Sequence, residues 1–334
     1  MKVGVKDFAP SWFASVMGTG ALALVSLAYS QRLYLLKEIA VTLTYLNTAL
    51  FLILLVPWSI RWIKYRENAL SDLRHPVISH FYGTIAVAML VLSADYLFIV
   101  KNVITAKAFW FVGTTLTVFF ALLIPYIMFV EKEVDIKAVT PAWFIPPVGL
   151  IVIPLSGSRI AVMYSGTVRE VLYAVNYFAW GSGFFLYLAL FSIVMYRFIR
   201  HEPMPCGMAP AIWINLGPIG AGTSTLYSLI SASTFLRVKE PFFAFGLIFW
   251  GFGVWWLIMA VVMTLHYIRR LNLPYSLAWW AFIFPLGAYV SATHNVGKTL
   301  GIGAIDAFGF ALYWLLLSLW VITGFKTIRY VLLK

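Results

Sequence analysis

Five positions at matching places along the chain hold residues whose size could control the passage of an ion. Each lies seven residues after the start of a repeated apolar segment, and they are Met17, Gly83, Val148, Gly217 and Phe284. The two glycines would open space in such a layer, and the phenylalanine could fill it. An aromatic plug stops ions by steric exclusion and dewetting rather than by charge. The spacing suggests a gate, although Phe284 is one of 27 phenylalanines and ordinary core packing explains its position more simply.

The same segments offer hydrogen-bond donors and almost no fixed charge. Their hydroxyl groups belong to Thr19, Thr84, Thr223, Ser224 and Thr225. Prolines in the middle of a helix free backbone N–H groups, and helix N-termini attract negative charge. A cation pathway would instead need acidic rings or a filter of carbonyl groups, and these segments suggest neither. Weak donors without lysine or arginine suit anions that enter and leave quickly, so the residues favour an anion pathway of low affinity.

The composition places these segments in a membrane. Of 334 residues, 62% are hydrophobic and only 11% are charged, and the mean hydropathy is +0.91. Soluble domains carry about 25% charged residues, so ordinary soluble, disordered, coiled-coil and nucleic-acid-binding proteins are excluded. The net charge of +12 reflects an excess of lysine and arginine. In membrane proteins such an excess usually lies in loops that face the cytoplasm and its anionic lipids. The single cysteine, Cys206, excludes an intramolecular disulfide.

Ten apolar runs are long enough to be spanning helices, which need about 20 residues each. They cover 10–30, 38–60, 77–98, 105–130, 141–158, 171–198, 209–234, 242–267, 276–295 and 304–325. Membrane β-strands are about 10 residues long and alternate in polarity, and these runs do not. Lysines and arginines number 15 in the links on one side and 9 in those on the other. We therefore predict an all-α multi-pass protein of the cell membrane with both termini in the cytoplasm.

A repeat organises the ten runs into five helical hairpins. The five repeats start at 10, 76, 141, 210 and 277, so successive starts are 66, 65, 69 and 67 residues apart. The first four starts are prolines. Proline is common at the first position of any helix, but this preference does not explain the even spacing. We predict a single domain, 1–334, built from repeat units at about 8–73, 74–138, 139–206, 207–273 and 274–334.

The odd and even runs differ in composition. Glycines and prolines interrupt the odd runs at membrane depth, as at Pro147, Pro154 and Pro218, whereas the even runs are rich in bulky apolar residues. Broken helices are tolerated at that depth when they are buried in protein or line a water-filled cavity. An inner ring of odd helices around a central pore, inside an outer ring of even helices, satisfies both patterns. A packed bundle whose small residues only allow close helix contact is the alternative.

No constellation of residues indicates catalysis or a bound cofactor. The five histidines do not share a helix at metal-ligand spacing, and no phosphate-binding loop is present. Asp95, Lys298 and Asp306 lie near segment ends, where the membrane surface is expected. An integral-membrane enzyme would need clustered titratable residues at one depth. We therefore predict that the protein is not an enzyme and needs no metal or cofactor.

The stretch 8–20 resembles the first-helix signature of the tellurite-resistance/dicarboxylate transporter family. Three further stretches resemble motifs of the same family, namely 140–149, 215–222 and 278–285. The family includes TehA-type bacterial channels, the slow anion channels of plant guard cells and fungal malate permeases. The similarity extends over the full chain and over all ten predicted helices.

The resemblance implies five hairpins around a central pore, assembly as a homotrimer, and a phenylalanine of the ninth helix that occludes the pore. By its motif that residue is Phe284, directly before Pro285, and a slip in the alignment would make it Phe282 instead. Gly18 would approach the pore closely. The residues expected to line the pore are Met17, Gly18, Gly83, Thr84, Val148, Gly149, Gly217, Pro218 and Pro285.

Two transport functions remain open at this point. A passive channel for small anions such as chloride or nitrate fits an uncharged pore with an aromatic gate. A proton-coupled or facilitative carrier for C4-dicarboxylates such as malate would need a buried cation, and the sequence places none in the inner helices. Resistance to tellurite or other oxyanions would be a consequence of permeation. The expected partners are small anions, the lipid bilayer and further copies of the chain.

Overall fold

The computed structural model describes residues 4–130, 134–271 and 273–333, and helices make up most of this part of the chain. Its twelve α-helices are Ala14–Ala28 (α1), Leu35–Lys64 (α2), Arg66–Arg74 (α3), Gly83–Asp95 (α4), Val103–Val130 (α5), Ile145–Val152 (α6), Pro154–Ala161 (α7), Gly166–Arg200 (α8), Leu216–Ala232 (α9), Glu240–Arg270 (α10), Ile283–Leu300 (α11) and Gly303–Leu332 (α12). No β-strand occurs among the described residues. The prediction of an all-helical fold is thus confirmed. Eight helical stretches in the described ranges are long and apolar enough to cross a membrane, and α9 and α11 fall outside that set.

Burial separates the helices into two groups. The long helices α2, α5, α8, α10 and α12 bury only 22–33% of the residues in their most apolar stretch. The stretches that contain α1, α4 and the α6–α7 pair bury 72–89%, and 14 of the 17 residues of α9 and 12 of the 18 residues of α11 are buried as well. Because the long helices expose mainly apolar side chains, their outer faces are suited to contact with lipid.

The buried helices form a closed ring. α1 packs against α4, α4 against α6, the α6–α7 pair against α9, α9 against α11, and α11 against α1. We call these five members the inner segments. Each inner segment also packs against the long helix that follows it in the chain. The ring therefore surrounds an axis to which all five inner segments can present side chains.

A stretch of 3-10 helix directly precedes each inner segment in the chain, and the sequence pattern did not indicate it. These stretches are Pro10–Phe13, Ile78–Tyr82, Pro141–Phe144, Cys206–Asn215 and Leu277–Phe282. A 3-10 helix is narrower than an α-helix and uses hydrogen bonds from residue i+3 to residue i. Pro10 and Pro141 stand at first positions, where a missing N–H is tolerated. The α-helical parts of the inner segments consequently begin several residues after the expected starts.

The third inner segment is broken between α6 and α7. Pro154 has no N–H, so the hydrogen-bond ladder of the helix is interrupted there. The carbonyl of Ile153 at the break accepts a 2.9 Å hydrogen bond from Nε1 of Trp110 on α5. Gly157 makes room for this indole, because a β-carbon at Gly157 would lie 2.5 Å from Trp110 Nε1. The carbonyl of Leu150, which lacks a donor from Pro154, accepts a 3.2 Å hydrogen bond from the backbone N–H of Ile153. The break is thus satisfied within the segment and also contacted by α5, as required of a broken helix buried in protein.

The helices α9 and α11 approach each other closely at Gly220. A β-carbon there would lie 2.4 Å from the backbone nitrogen of Tyr289 and 2.5 Å from the backbone carbonyl carbon of Ala288. Because backbone atoms cannot yield as a flexible side chain would, we expect Gly220→Ala to lower the free energy of unfolding by roughly 1–3 kcal/mol. Thermal unfolding in detergent measures this change.

The matched control for this prediction is Gly251→Ala. Gly251 is exposed on α10, and a β-carbon added there would have no described atom within 4 Å. Alanine is a better helix former than glycine, so the unfolding temperature of the control should be unchanged or slightly raised. An unaltered unfolding temperature for Gly220→Ala would contradict the close approach of α9 and α11.

Candidate functional site

A narrow cavity lies on the axis of the ring, at the end where the inner segments begin. Its volume is about 50 Å³, and all five inner segments contribute to its wall. One lining residue from each segment, in chain order, is Met17, Thr84, Val148, Gly217 and Phe284. We call this space the N-terminal cavity. Its size leaves room for only a few water molecules.

A second cavity, of about 40 Å³, lies further along the same five segments. Lining residues from each segment are Leu24, Val91, Leu155, Thr225 and Ser291. We call this space the C-terminal cavity. Among the described residues, Phe284 alone lines both cavities. The side chain of Phe284 therefore borders both cavities.

The layer around Phe284 is closed to solvent. Met17 is 5% exposed, Val148 is 3% exposed and Phe284 is 7% exposed. A β-carbon at Gly217 would lie 3.9 Å from Cε1 of Phe284, from Cβ of Pro285 and from Cγ2 of Val148. Gly217 therefore leaves a space that faces the phenylalanine ring at van der Waals distance.

The expected pore residues divide into two sets in the structure. Those that line the N-terminal cavity are Met17, Thr84, Val148, Gly217 and Pro285. Those that line neither cavity are Gly18, Gly83, Gly149 and Pro218. Two of the latter face neighbouring helices, because a β-carbon at Gly18 would lie 3.0 Å from Ile283 of α11 and one at Gly149 would lie 2.9 Å from Thr117 of α5.

Phe282 occupies a different environment from Phe284. Its ring packs edge-to-face against Trp213 and Trp279, with centroids 5.4 and 5.7 Å away. It is 3% exposed and lines neither cavity. Of the two phenylalanines considered from the sequence, Phe284 is the one on the axis.

Several hydroxyl groups that the sequence offers as donors already bond within the fold. Thr223 and Thr225 each donate to the carbonyl four residues earlier, at 2.9 and 2.7 Å. The hydroxyl oxygen of Thr84 lies 2.6 Å from the carbonyl oxygen of Phe81 and 2.8 Å from that of Pro10. Such bonds from hydroxyl to backbone are common in buried helices. The cavity walls therefore offer fewer free donors than the sequence suggests.

The walls of the two cavities carry no lysine, arginine, aspartate or glutamate in the part of the chain that the structure describes. Ion pairs lie elsewhere. Arg32 and His294 both contact the carboxylate of Asp306, at 2.5 and 2.8 Å. Arg61, which is buried, pairs with Asp72 at 2.7 Å. The two cavities are consequently narrow, mainly apolar and uncharged along their described walls.

Asp95 is buried rather than exposed at a segment end. It is 0% exposed, and its Oδ2 accepts a long hydrogen bond of 3.4 Å from Nδ2 of Asn47 on α2. Gly20 on α1 leaves the space, since a β-carbon there would lie 2.7 Å from the same oxygen. Asn47 and Asp95 are 48 residues apart, so no local sequence signal could show this pairing. No group of three metal-ligating side chains occurs among the described residues.

Comparison with known proteins identifies the family. The sequence profile of the SLAC1 family, described as voltage-dependent anion channel, matches residues 7–328. An uncharacterized transporter of Methanocaldococcus jannaschii is 54% identical over 97% of this chain and 93% of its own length. A sulfite efflux pump of Arthroderma otae is 26% identical over 98% of this chain and 91% of its own. A malic acid transport protein of Schizosaccharomyces pombe is 25% identical over 97% and 78%.

These names describe channels and transporters rather than enzymes. They confirm the resemblance that the motifs carry, and the similarity extends over nearly the whole chain. With its many long apolar helices, the chain is a multi-pass membrane transporter that belongs to the SLAC1 family.

Proposed function

We propose that the protein is a passive channel for small anions, with a central pathway closed by Phe284. The observation that carries this proposal is the place of Phe284 between two axial cavities to which all five inner segments contribute. A hydrophobic constriction blocks ions by steric exclusion and dewetting. A movement of this one ring would join the two cavities.

In this proposal α9 and α11 span the membrane together with the eight long apolar stretches. The ten spans form five hairpins in a pseudo-fivefold ring within a single domain. Both termini lie in the cytoplasm, because the side richer in lysine and arginine favours that compartment, and the membrane is the cell membrane. The N-terminal cavity then faces the cytoplasm. A homotrimer, which the family resemblance implies, belongs to the same proposal.

The proposed substrates are small anions. The family is described as voltage-dependent anion channel. One relative is named a sulfite efflux pump and another a malic acid transport protein. A pathway whose described walls lack lysine and arginine would hold an anion only through dipoles and weak donors, which suits rapid passage. Chloride and nitrate fit such a pathway because they are small and singly charged. Sulfite is the oxyanion to test beside them.

A carrier for C4-dicarboxylates is the second candidate, since one relative is named a malic acid transport protein. A carrier would hold the two carboxylates of malate inside the protein, and desolvating them without a cation is costly. Asp95 beside Asn47 is the buried acid at which proton coupling would be sought. The uncharged walls of the axial cavities favour the channel.

Anion flux into liposomes that contain the purified protein separates the two functions. We expect chloride and nitrate to move down their own gradients at rates that an imposed pH gradient does not change. Asp95→Asn should leave this flux unaltered. Malate uptake that requires the pH gradient and is lost in Asp95→Asn, in the absence of chloride flux, would contradict the channel.

A further inference from the structure

The two residues of α7 that are not fully buried lie on one side of the helix. Six of its eight residues are buried, and the other two are Leu155 and Arg159. Residues four apart lie one above the other on a helix. Leu155 lines the C-terminal cavity. Arg159 therefore lies one turn beyond that cavity wall, on the side of α7 that reaches solvent.

The same arrangement occurs on α11, the helix that carries Phe284. Ser291 lies seven residues after Phe284 and lines the C-terminal cavity, and Lys298 lies seven residues after Ser291. Spacings of seven residues keep side chains on one helix face. Along this face Phe284 is buried, Ser291 is partly buried and Lys298 is exposed. By this spacing Arg159 and Lys298 lie beyond the C-terminal cavity, on the faces of α7 and α11 that line it, and we call this exposed end of the two helices the C-terminal mouth.

Neither of these two cations is neutralised within the described part of the chain. No hydrogen bond or ion pair there involves Arg159 or Lys298. The nearest acid on the chain after Lys298 is Asp306, and its carboxylate is already engaged by Arg32 and His294. Their positive charges are therefore available to a mobile anion.

We propose that Arg159 and Lys298 form an anion-capture site at the C-terminal mouth, where they concentrate chloride and similar small inorganic anions before these reach Phe284. This inference rests on the proposed channel function. Unpaired charges at the opening of a narrow cavity with low-dielectric walls focus the electric field and raise the local concentration of counter-ions.

The first test neutralises both cations in the Phe284→Ala background, where we expect the largest conduction. We expect Arg159→Gln with Lys298→Gln to lower the current carried by chloride entering from the C-terminal mouth by about three- to tenfold at low ionic strength. The difference should disappear at about 1 M salt, where the Debye length is about 3 Å. A reduction that persists at high salt would indicate an altered pore instead and would overturn the proposal.

The matched control is Lys101→Gln with Arg237→Gln in the same background. Both residues lie in loops that follow the ends of inner segments, and neither lies within α7 or α11. The control removes the same charge from the same end of the molecule. We expect it to leave the low-salt current nearly unchanged. A reduction as large as that of the test pair would assign the effect to general surface charge and would overturn the capture site.

Restoring the charge tests the role of Arg159 directly. In a chain with Cys206→Ser, which removes the native thiol, Arg159→Cys should lower the low-salt current. A cationic methanethiosulfonate reagent added on the side of the C-terminal mouth should restore the current, and an anionic one should lower it further. Equal responses to the two reagents would show that bulk rather than charge matters, which would overturn the proposal.

A binding measurement separates this inference from the channel function. Weak chloride binding broadens the chloride NMR line, and we expect the broadening by the detergent-purified protein to fall severalfold in the Arg159→Gln, Lys298→Gln pair. The Lys101→Gln, Arg237→Gln control should keep it. Absence of anion current in every variant would refute the channel, whereas unchanged line broadening in the test pair would refute the capture site.

Discussion

Replacing Phe284 by alanine is expected to raise the chloride flux of the reconstituted protein by about tenfold or more. The ring of Phe284 is the feature common to the two axial cavities in the described structure, and it is nearly inaccessible to solvent. Truncation to a methyl group would join the cavities and allow water to enter the constriction, which removes a barrier of the dewetting type. A tenfold increase corresponds to a barrier lowered by about 1.4 kcal/mol. Chloride efflux from liposomes measures it.

Phe282→Ala is the matched control, because it removes the same side chain two positions away. Phe282 packs against Trp213 and Trp279 and lines neither cavity. We expect this variant to lose stability, as large-to-small changes in a core do, without the gain in flux. A gain in flux for Phe282→Ala alone would transfer the gate to that residue. No gain for a folded Phe284→Ala would show that Phe284 does not close the pathway.

Replacing Gly217 by leucine in the Phe284→Ala background should reverse most of that gain. A β-carbon at Gly217 would have its nearest neighbours at 3.9 Å, and these are Phe284, Pro285 and Val148. A leucine there therefore points into the space that the missing phenylalanine ring leaves. We expect chloride flux to fall by about tenfold relative to Phe284→Ala, since an apolar group again fills the constriction.

The control for this second prediction is Gly251→Leu in the same background. Gly251 lies on α10, where an added β-carbon would meet no described atom within 4 Å, and it is exposed, so leucine there should leave flux unchanged. The unfolding temperature of both variants in detergent shows whether the fold is kept. Full flux through a folded Gly217→Leu variant would place Gly217 away from the pathway.

The parts of the fold that follow from local sequence could be predicted. Apolar runs of spanning length indicated the helices. Of the prolines expected to interrupt them, Pro154 marks the break between α6 and α7, whereas Pro147 and Pro218 lie in the first turns of α6 and α9. Equivalent positions in the repeat also brought together Val148, Gly217 and Phe284, which meet around one layer in the structure. Each of these features depends on residue type and spacing along the chain, which a sequence contains.

The features that escaped prediction depend on partners distant in the chain. Asp95 is buried because Asn47 and the space at Gly20 meet it across three helices, and Asp306 is held by Arg32 from 274 residues away. The short helix α3, Arg66–Arg74, lies in the link between the second and third apolar runs, where hydropathy indicated no helix. Its residue Asp72 pairs with buried Arg61, a contact that hydropathy cannot indicate.

Gly18 and Gly149 show the limit of reasoning from small residues. Both fall within the motifs and suggested a pore wall, yet β-carbons added at these positions would face Ile283 and Thr117 of neighbouring helices. A glycine on a buried helix can serve a cavity or a close helix contact. The residue type can be read from the sequence, whereas the direction of each face depends on the rotation of the helix in the ring.

In our proposal the protein conducts anions through a pathway that Phe284 closes. The most direct test of this proposal is the reversal potential of the current across a planar bilayer with unequal chloride on the two sides. We predict that the Phe284→Ala variant reverses at the chloride equilibrium potential and that the wild-type protein reverses at the same potential with a smaller conductance. A current that follows the cation or proton gradient, or no chloride current in the folded variant, would contradict a passive anion channel.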